Sequence, residues 1–193
     1  MSALRKANTW IILLTVLVAM MAIEIVYLVY QNQQLRTIIE DPQKYFKAIS
    51  QKEIVPSLNL MNTDGETVLL SYSPDAPFTV LFWFSPGCAG CEDNFEFWEK
   101  LASDTKNNRV RFYGMCIGDV DDAIAFADEQ DFPFPTLCVS EQFVLDAYKG
   151  GVIPQTVLIA PEGTVLDTWT GKMEDPQKDK ILSFLQQFQS QKS

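Results

Sequence analysis

From Trp10 to Tyr30 the chain reads WIILLTVLVAMMAIEIVYLVY, apolar except for Thr15, Glu24 and the tyrosines near its end. A helix of that length rises roughly 30 Å, the thickness of a bilayer's hydrocarbon core. No Ala-x-Ala precedes a plausible cleavage point and no lipobox cysteine follows, so the segment is expected to remain as an anchor. Arg5 and Lys6 stand before it and only Arg36 follows closely, which leaves residues 1–9 in the cytoplasm and sends the rest outward. Trp10, Tyr27 and Tyr30 suit the interfacial belts. Glu24 has two readings: a carboxyl protonated or reaching for headgroups, or a helix–helix contact with a membrane partner.

Beyond the anchor, residues 31–53 are polar with scattered apolar positions, which predicts a helical stalk interrupted near Asp41-Pro42. Residues 54–193 form the expected folded domain. The net charge of −10 disfavours a nucleic-acid partner, whose phosphates need a basic surface. The absence of histidine removes Cys/His zinc sites, histidine-based triads and the usual copper-chaperone ligands, so no metal site and no cofactor are expected.

LNLMNTDGETVLL alternates apolar residues around Asp64-Gly65 and predicts a hairpin. FTVLFWF (78–84) is a continuous apolar run, as in a strand covered on both faces. A helix is expected from the cysteines onward, with Phe95, Trp98 and Leu101 on one face. VRFYGMCIG reads as a second buried strand, DVDDAIAFADEQ as a helix with acids at its N-terminal end, and TLCVS as a short strand before a helical turn. QTVLIAPEGTVLDTW predicts a hairpin, and Asp175 as N-cap with Pro176 begins a last helix buried along Ile181, Phe184, Leu185 and Phe188. Alternating strands and helices closed by a hairpin and helix give an α/β domain with a mixed sheet.

FSPGCAGCEDNF sets Cys88 and Cys91 immediately after the first buried strand, at the ligand edge of such a sheet. A redox couple, half of a metal site and a static disulfide all fit the spacing taken alone. As a couple, Cys88 at the helix N-terminus gains from the macrodipole and free backbone N–H groups, which favour thiolate. Cys91, one turn deeper, is placed to resolve a mixed disulfide. Cys116 and Cys138 fall late in two strands expected to be parallel neighbours. They are buried free thiols, a possible second disulfide, or metal ligands.

FWFSPGCAGC, the downstream DFPFPTLCVSEQFVLDAYKGGVIPQTVLIAPEGTV and WTGKM together resemble the thioredoxin superfamily, and within it the membrane-anchored TlpA/ResA/CcmG-like thiol–disulfide oxidoreductases. The resemblance spans Val55 to Phe188. It implies a thioredoxin-like fold with an N-terminal hairpin and an inserted helix and strand between Asp119 and Ser140. It implies a cis peptide at Ile153-Pro154 beside the cysteines, with the Ile153 backbone pairing an extended substrate segment. It also implies protein disulfide substrates linked to cytochrome c maturation, a membrane thiol protein as electron donor, and an extracytoplasmic domain on a bacterial cytoplasmic membrane.

Four positions depart from that pattern. Gly87 stands where tryptophan is frequent, Gly90 where proline is frequent, Asn94 where glutamate is frequent, and Phe82 where relatives often bury a polar strand residue. Glu92, Asp93 and Glu96 are the remaining candidates for a proton acceptor, or a solvated helix start. Acids in the first turns raise the energy of a thiolate and make a couple more reducing, which predicts a reductase. A peroxide-reducing enzyme lacks its Thr-x-x-Cys environment here, since Ser85 precedes Cys88 by three. A non-catalytic thioredoxin-like binding module in a membrane complex is the remaining alternative.

Overall fold

The computed structural model of the protein describes residues 2–40, 47–105 and 109–189. They fall into two compact units divided between Tyr45 and Phe46. The first is helix α1 (Ser2–Glu40). Its stretch Leu14–Gln33, with a mean hydropathy of 1.9, is long and apolar enough to cross a membrane. Helix therefore runs through the first part of the expected stalk, while Asp41-Pro42 lies outside the described residues.

The second unit holds seven strands and four helices among its described residues: β1 (Leu58–Asn62), β2 (Thr67–Leu70), β3 (Phe78–Phe84), α2 (Ala89–Asp104), β4 (Val110–Ile117), α3 (Val120–Gln130), β5 (Thr136–Val139), α4 (Gln142–Tyr148), β6 (Gln155–Ile159), β7 (Val165–Thr170) and α5 (Asp175–Gln189). The strands form one sheet in the order β2-β1-β5-β4-β3-β6-β7. The neighbours β3, β4 and β5 run parallel, and the flanking pairs are antiparallel. This is the mixed α/β sheet that the alternation of elements predicts and the thioredoxin-like fold that the resemblance implies, with α3 and β5 as the inserted pair.

Residue alternation along β3 divides the core. Val80, Phe82 and Phe84 face α2, α3 and α5, while Leu81 and Trp83 face α4 and the segment around Ile49 and Val55. Every one of these five side chains is fully buried, because a central strand meets packed layers on both sides. The β1–β2 turn is built by Asn62, whose Oδ1 accepts the N–H groups of Asp64 and Glu66, with Gly65 in the left-handed region.

Two expectations shift in detail. Residues 47–53, read from sequence as linker, sit in the globular unit: Ile49 is buried in the core beside Val55. Glu174, not Asp175, caps α5. Its carbonyl accepts the N–H groups of Gln177 and Lys178, and its own N–H donates to Gln177 Oε1. The Gln177 side chain thus supplies the return half of a capping box with the cap one residue earlier, which puts Asp175 inside the first turn. Ile181 and Leu185 are buried and Phe184 is half-buried as expected; the Phe188 side chain lies outside the described residues.

Candidate active site at the parallel strand ends

The chain leaves β3 at Phe84, turns through Ser85 to Gly87, and enters α2 with Cys88 as its N-cap residue. Gly87 has φ of +73°, and a Cβ there would meet nothing within 4 Å. Backbone conformation, rather than space, therefore favours glycine over the tryptophan of relatives. The Cys88 N–H donates to Ser85 O at 3.2 Å, and the Cys91 N–H donates to Cys88 O at 2.8 Å. Cys88 and Cys91 are joined as a disulfide. Cys88 is half-buried whereas Cys91 is fully shielded, so an approaching nucleophile or disulfide meets Cys88 first.

Ile153-Pro154 is a cis peptide bond at the entry to β6. A Cβ placed on Gly90, between the two cysteines, would lie 3.7 Å from Pro154 Cδ. The proline ring thus packs over the turn that carries the disulfide. Glycine at 90 leaves this contact at ordinary van der Waals distance. Ile153 is half-buried and packs against the core, two residues before β6 begins.

Beneath the disulfide the bed is aromatic. Phe82, at the position where relatives often bury a polar group, stacks on Trp98 with centroids 4.9 Å apart and touches Phe134 at 5.0 Å. Phe84 meets Phe95, Trp98, Phe126 and Phe132, and Phe132 stacks on Phe134. Trp98 and Phe132 are thus packing residues, and Trp98 Nε1–H donates to Thr156 Oγ1 at 2.9 Å. Glu92, Asp93 and Glu96 are exposed on α2, and Asp93 pairs with Lys172 at 3.3 Å.

Cys116 and Cys138 are direct register partners on β4 and β5, with Phe84 beside Cys116 on β3. The structure holds them as two free, buried thiols rather than as a second disulfide. Burial, and then the neighbouring Cys138, push the Cys116 thiol up to about 12. Burial alone raises Cys138. Thiols so disfavoured as thiolates are poor nucleophiles. Among the described residues no group of three Cys, Asp or Glu side chains is placed to hold a metal ion.

Sequence reasoning marked Asn94 only as a departure and missed its contacts. It is fully buried one turn after Cys91; its Nδ2 donates to Gly171 O at 3.0 Å and its Oδ1 accepts the Met173 N–H at 2.8 Å. No local pattern announces a contact made 77 residues away. The only hint lies in the sequence departures: a neutral amide stands where an acid is frequent.

Residues 52–168 match the AhpC/TSA family. The chain is similar to the thiol-disulfide oxidoreductase ResA of Bacillus subtilis (strain 168), 28% identical over 130 residues, which is 67% of this chain and 72% of that protein. The thioredoxin domain of a thiol-disulfide oxidoreductase from Bacteroides vulgatus matches with a TM-score of 0.59 at 15% identity, covering 72% of this chain and 99% of that one. Peroxidoxin BcpB from Mycobacterium tuberculosis matches with a TM-score of 0.59 at 22% identity, covering 72% and 97%. These two structural likenesses speak for the fold.

Proposed function

The chain belongs to the AhpC/TSA family and is a thiol–disulfide oxidoreductase of the thioredoxin fold; we propose that it reduces protein disulfides outside a bacterial cytoplasmic membrane, tethered by residues 10–30. The observation that carries the reading is the Cys88–Cys91 disulfide at the α2 N-terminus, half-open at Cys88, beside cis Ile153-Pro154. The apolar helix α1 supports a single-pass anchor with its N-terminus inside.

In the reductive direction the Cys88 thiolate attacks one sulfur of the substrate disulfide. The substrate S–S bond breaks, a mixed disulfide forms, and one substrate thiolate leaves and takes up a proton. The Cys91 thiolate then attacks the Cys88 sulfur, closing the Cys88–Cys91 disulfide and releasing the second substrate thiol. Two electrons have moved from the pair to the client, and a membrane thiol protein re-reduces Cys88–Cys91 with two of its own, its dithiol becoming a disulfide. Ile153 is proposed to hold an extended client segment through its backbone, with Pro154 keeping that segment over Cys88. Cytochrome c apoprotein or its maturation partners are the proposed clients.

The test uses the full chain in detergent with disulfide-bonded insulin. Cys88→Ser is expected to abolish turnover, Cys91→Ser to accumulate the mixed disulfide, and Cys116→Ser to retain turnover. Wild-type inactivity towards every disulfide offered would sink the reading, and peroxide consumption in its place would favour a peroxide-reducing enzyme. A Cys88–Cys91 reduction potential in the range of strong oxidants would reverse the assigned direction.

A further inference from the structure

Asn94 is the polar member of the buried face of α2, which otherwise presents Cys91, Phe95, Trp98 and Leu101. Burying an amide is costly unless its donor and its acceptor both find partners. Here both do, and on one short loop: Nδ2–H goes to the Gly171 carbonyl and Oδ1 takes the Met173 N–H. The residue between them, Lys172, reaches Asp93 on the outer side of the same helix. Gly171, at φ of +77°, turns its own N–H to the Pro154 carbonyl at 2.9 Å. A continuous line of hydrogen bonds therefore runs from α2 through Gly171 to the cis proline. A second link lies deeper, where Thr156 Oγ1 accepts from Trp98 and lies 3.4 Å from Met173 Sδ.

The chemistry of that line requires an amide. A carboxylate of the same length accepts from Met173 N–H but sets a charged oxygen against the Gly171 carbonyl. An apolar side chain leaves both backbone groups unpaired in a buried place. We propose that Asn94 is a positioning residue for thiol–disulfide exchange: by tying the Gly171–Met173 loop to α2 it fixes the Ile153-Pro154 loop relative to Cys88 and so governs the docking of polypeptide disulfides. The role rests on the reading of that loop as the client-docking edge. Asn94 acts through Gly171 and Pro154 and exchanges no proton, since an amide stays neutral across the working pH range.

A substrate that docks along the loop feels the tie, whereas a small aromatic disulfide needs only the Cys88 thiolate. The experiment compares kcat/KM for a disulfide-bonded peptide with that for dithiobis(nitrobenzoate), in wild type, Asn94→Ala and Asn94→Asp, as a function of pH. The peptide-to-small-disulfide ratio is expected to fall about tenfold in both variants near neutral pH, chiefly through KM for the peptide. In Asn94→Asp the ratio should recover as the pH is lowered, because a protonated carboxyl again donates to Gly171 and accepts from Met173. Wild type and Asn94→Ala should show no such step. Thiolate loss at low pH affects both substrates and cancels in the ratio. A ratio unchanged in Asn94→Asp, or changed without the pH step, overturns the positioning role while the oxidoreductase reading stands. Wild type inactive on both substrates overturns the two together.

Discussion

Cys116 and Cys138 share the sheet edge with the Cys88–Cys91 disulfide, and burial raises the cost of their becoming thiolates. Cys88 stands half-open at a helix N-terminus, while Cys116 is enclosed among Phe84, Cys138 and the core that packs on α2. With its thiol pushed up to about 12, almost none of Cys116 is ionised at pH 8. Iodoacetamide added to the fully reduced, folded protein at pH 8 is therefore expected to modify Cys88 first. Cys116 and Cys138 should label only after denaturation, as mass spectrometry of the digested protein would read directly. Rapid labelling of Cys116 in the native state would contradict the burial on which this ranking stands. The place of the Cys88–Cys91 pair was legible in the sequence because spacing, strand and helix start all lie within one short stretch. Asn94 was not, because its meaning resides in Gly171 and Met173, which only the fold brings to it.

At the level of elements, what periodicity encodes could be read and what packing encodes could not. The apolar run 78–84 and the alternation around Asp64-Gly65 are local signals, and β3 and the β1–β2 hairpin appear where those signals put them. The α5 cap moved by one residue because both Glu174 and Asp175 precede Pro176, and only the Gln177 side chain selects between them. The connection from α4 to β6 is set by a contact that no local rule reveals. Lys149 and Gly150 close α4, with Lys149 left-handed and the Gly150 N–H donating to Leu145 O at 2.9 Å. A Cβ on Gly150 would fall 2.2 Å from Cζ3 of Trp83, a ring that is fully buried and cannot step aside. Gly150→Ala is expected to cost about 1–3 kcal/mol through overpacking, read as a lower urea midpoint at an unchanged slope. Because this connection leads into cis Ile153-Pro154, the same variant should also slow reduction of a peptide disulfide. A midpoint equal to wild type would show that Trp83 has room that its surroundings do not suggest.

For the globular unit as a whole, the strap from Ile49 to Val55 fastens the sheet's β7 side to its α4 side. Lys52 N–H donates to Val165 O, Val165 N–H to Glu53 O, and Val55 N–H to Gly163 O, while Gln51 Nε2 reaches Asp167 at 2.9 Å. Polar composition had suggested a linker through residue 53, because the strap buries only Ile49 and Val55 and makes its other bonds through backbone and polar side chains. Two carboxylates complete it. The hydrogen bond from Lys149 holds the Glu53 carboxyl below its ordinary value. At Asp167 burial pushes upward, but bonds from Lys180, Gln51 and the Thr168 N–H outweigh it and leave the carboxyl lowered. A folded pKa below the unfolded one means that the unfolded chain takes up protons first as the pH falls. The stabilisation from both groups is therefore complete above about pH 5, where the unfolded carboxyls are ionised, and fades as the pH drops through the lower folded values. Chemical unfolding of wild type, Glu53→Gln and Asp167→Asn between pH 6 and pH 3 isolates their share, since all other carboxylates are common to the three chains. Each variant is expected to be less stable than wild type at pH 6, with the gap closing towards pH 3. A gap of constant size would mean that the two side chains act through contacts independent of their ionisation and that their charges are bystanders.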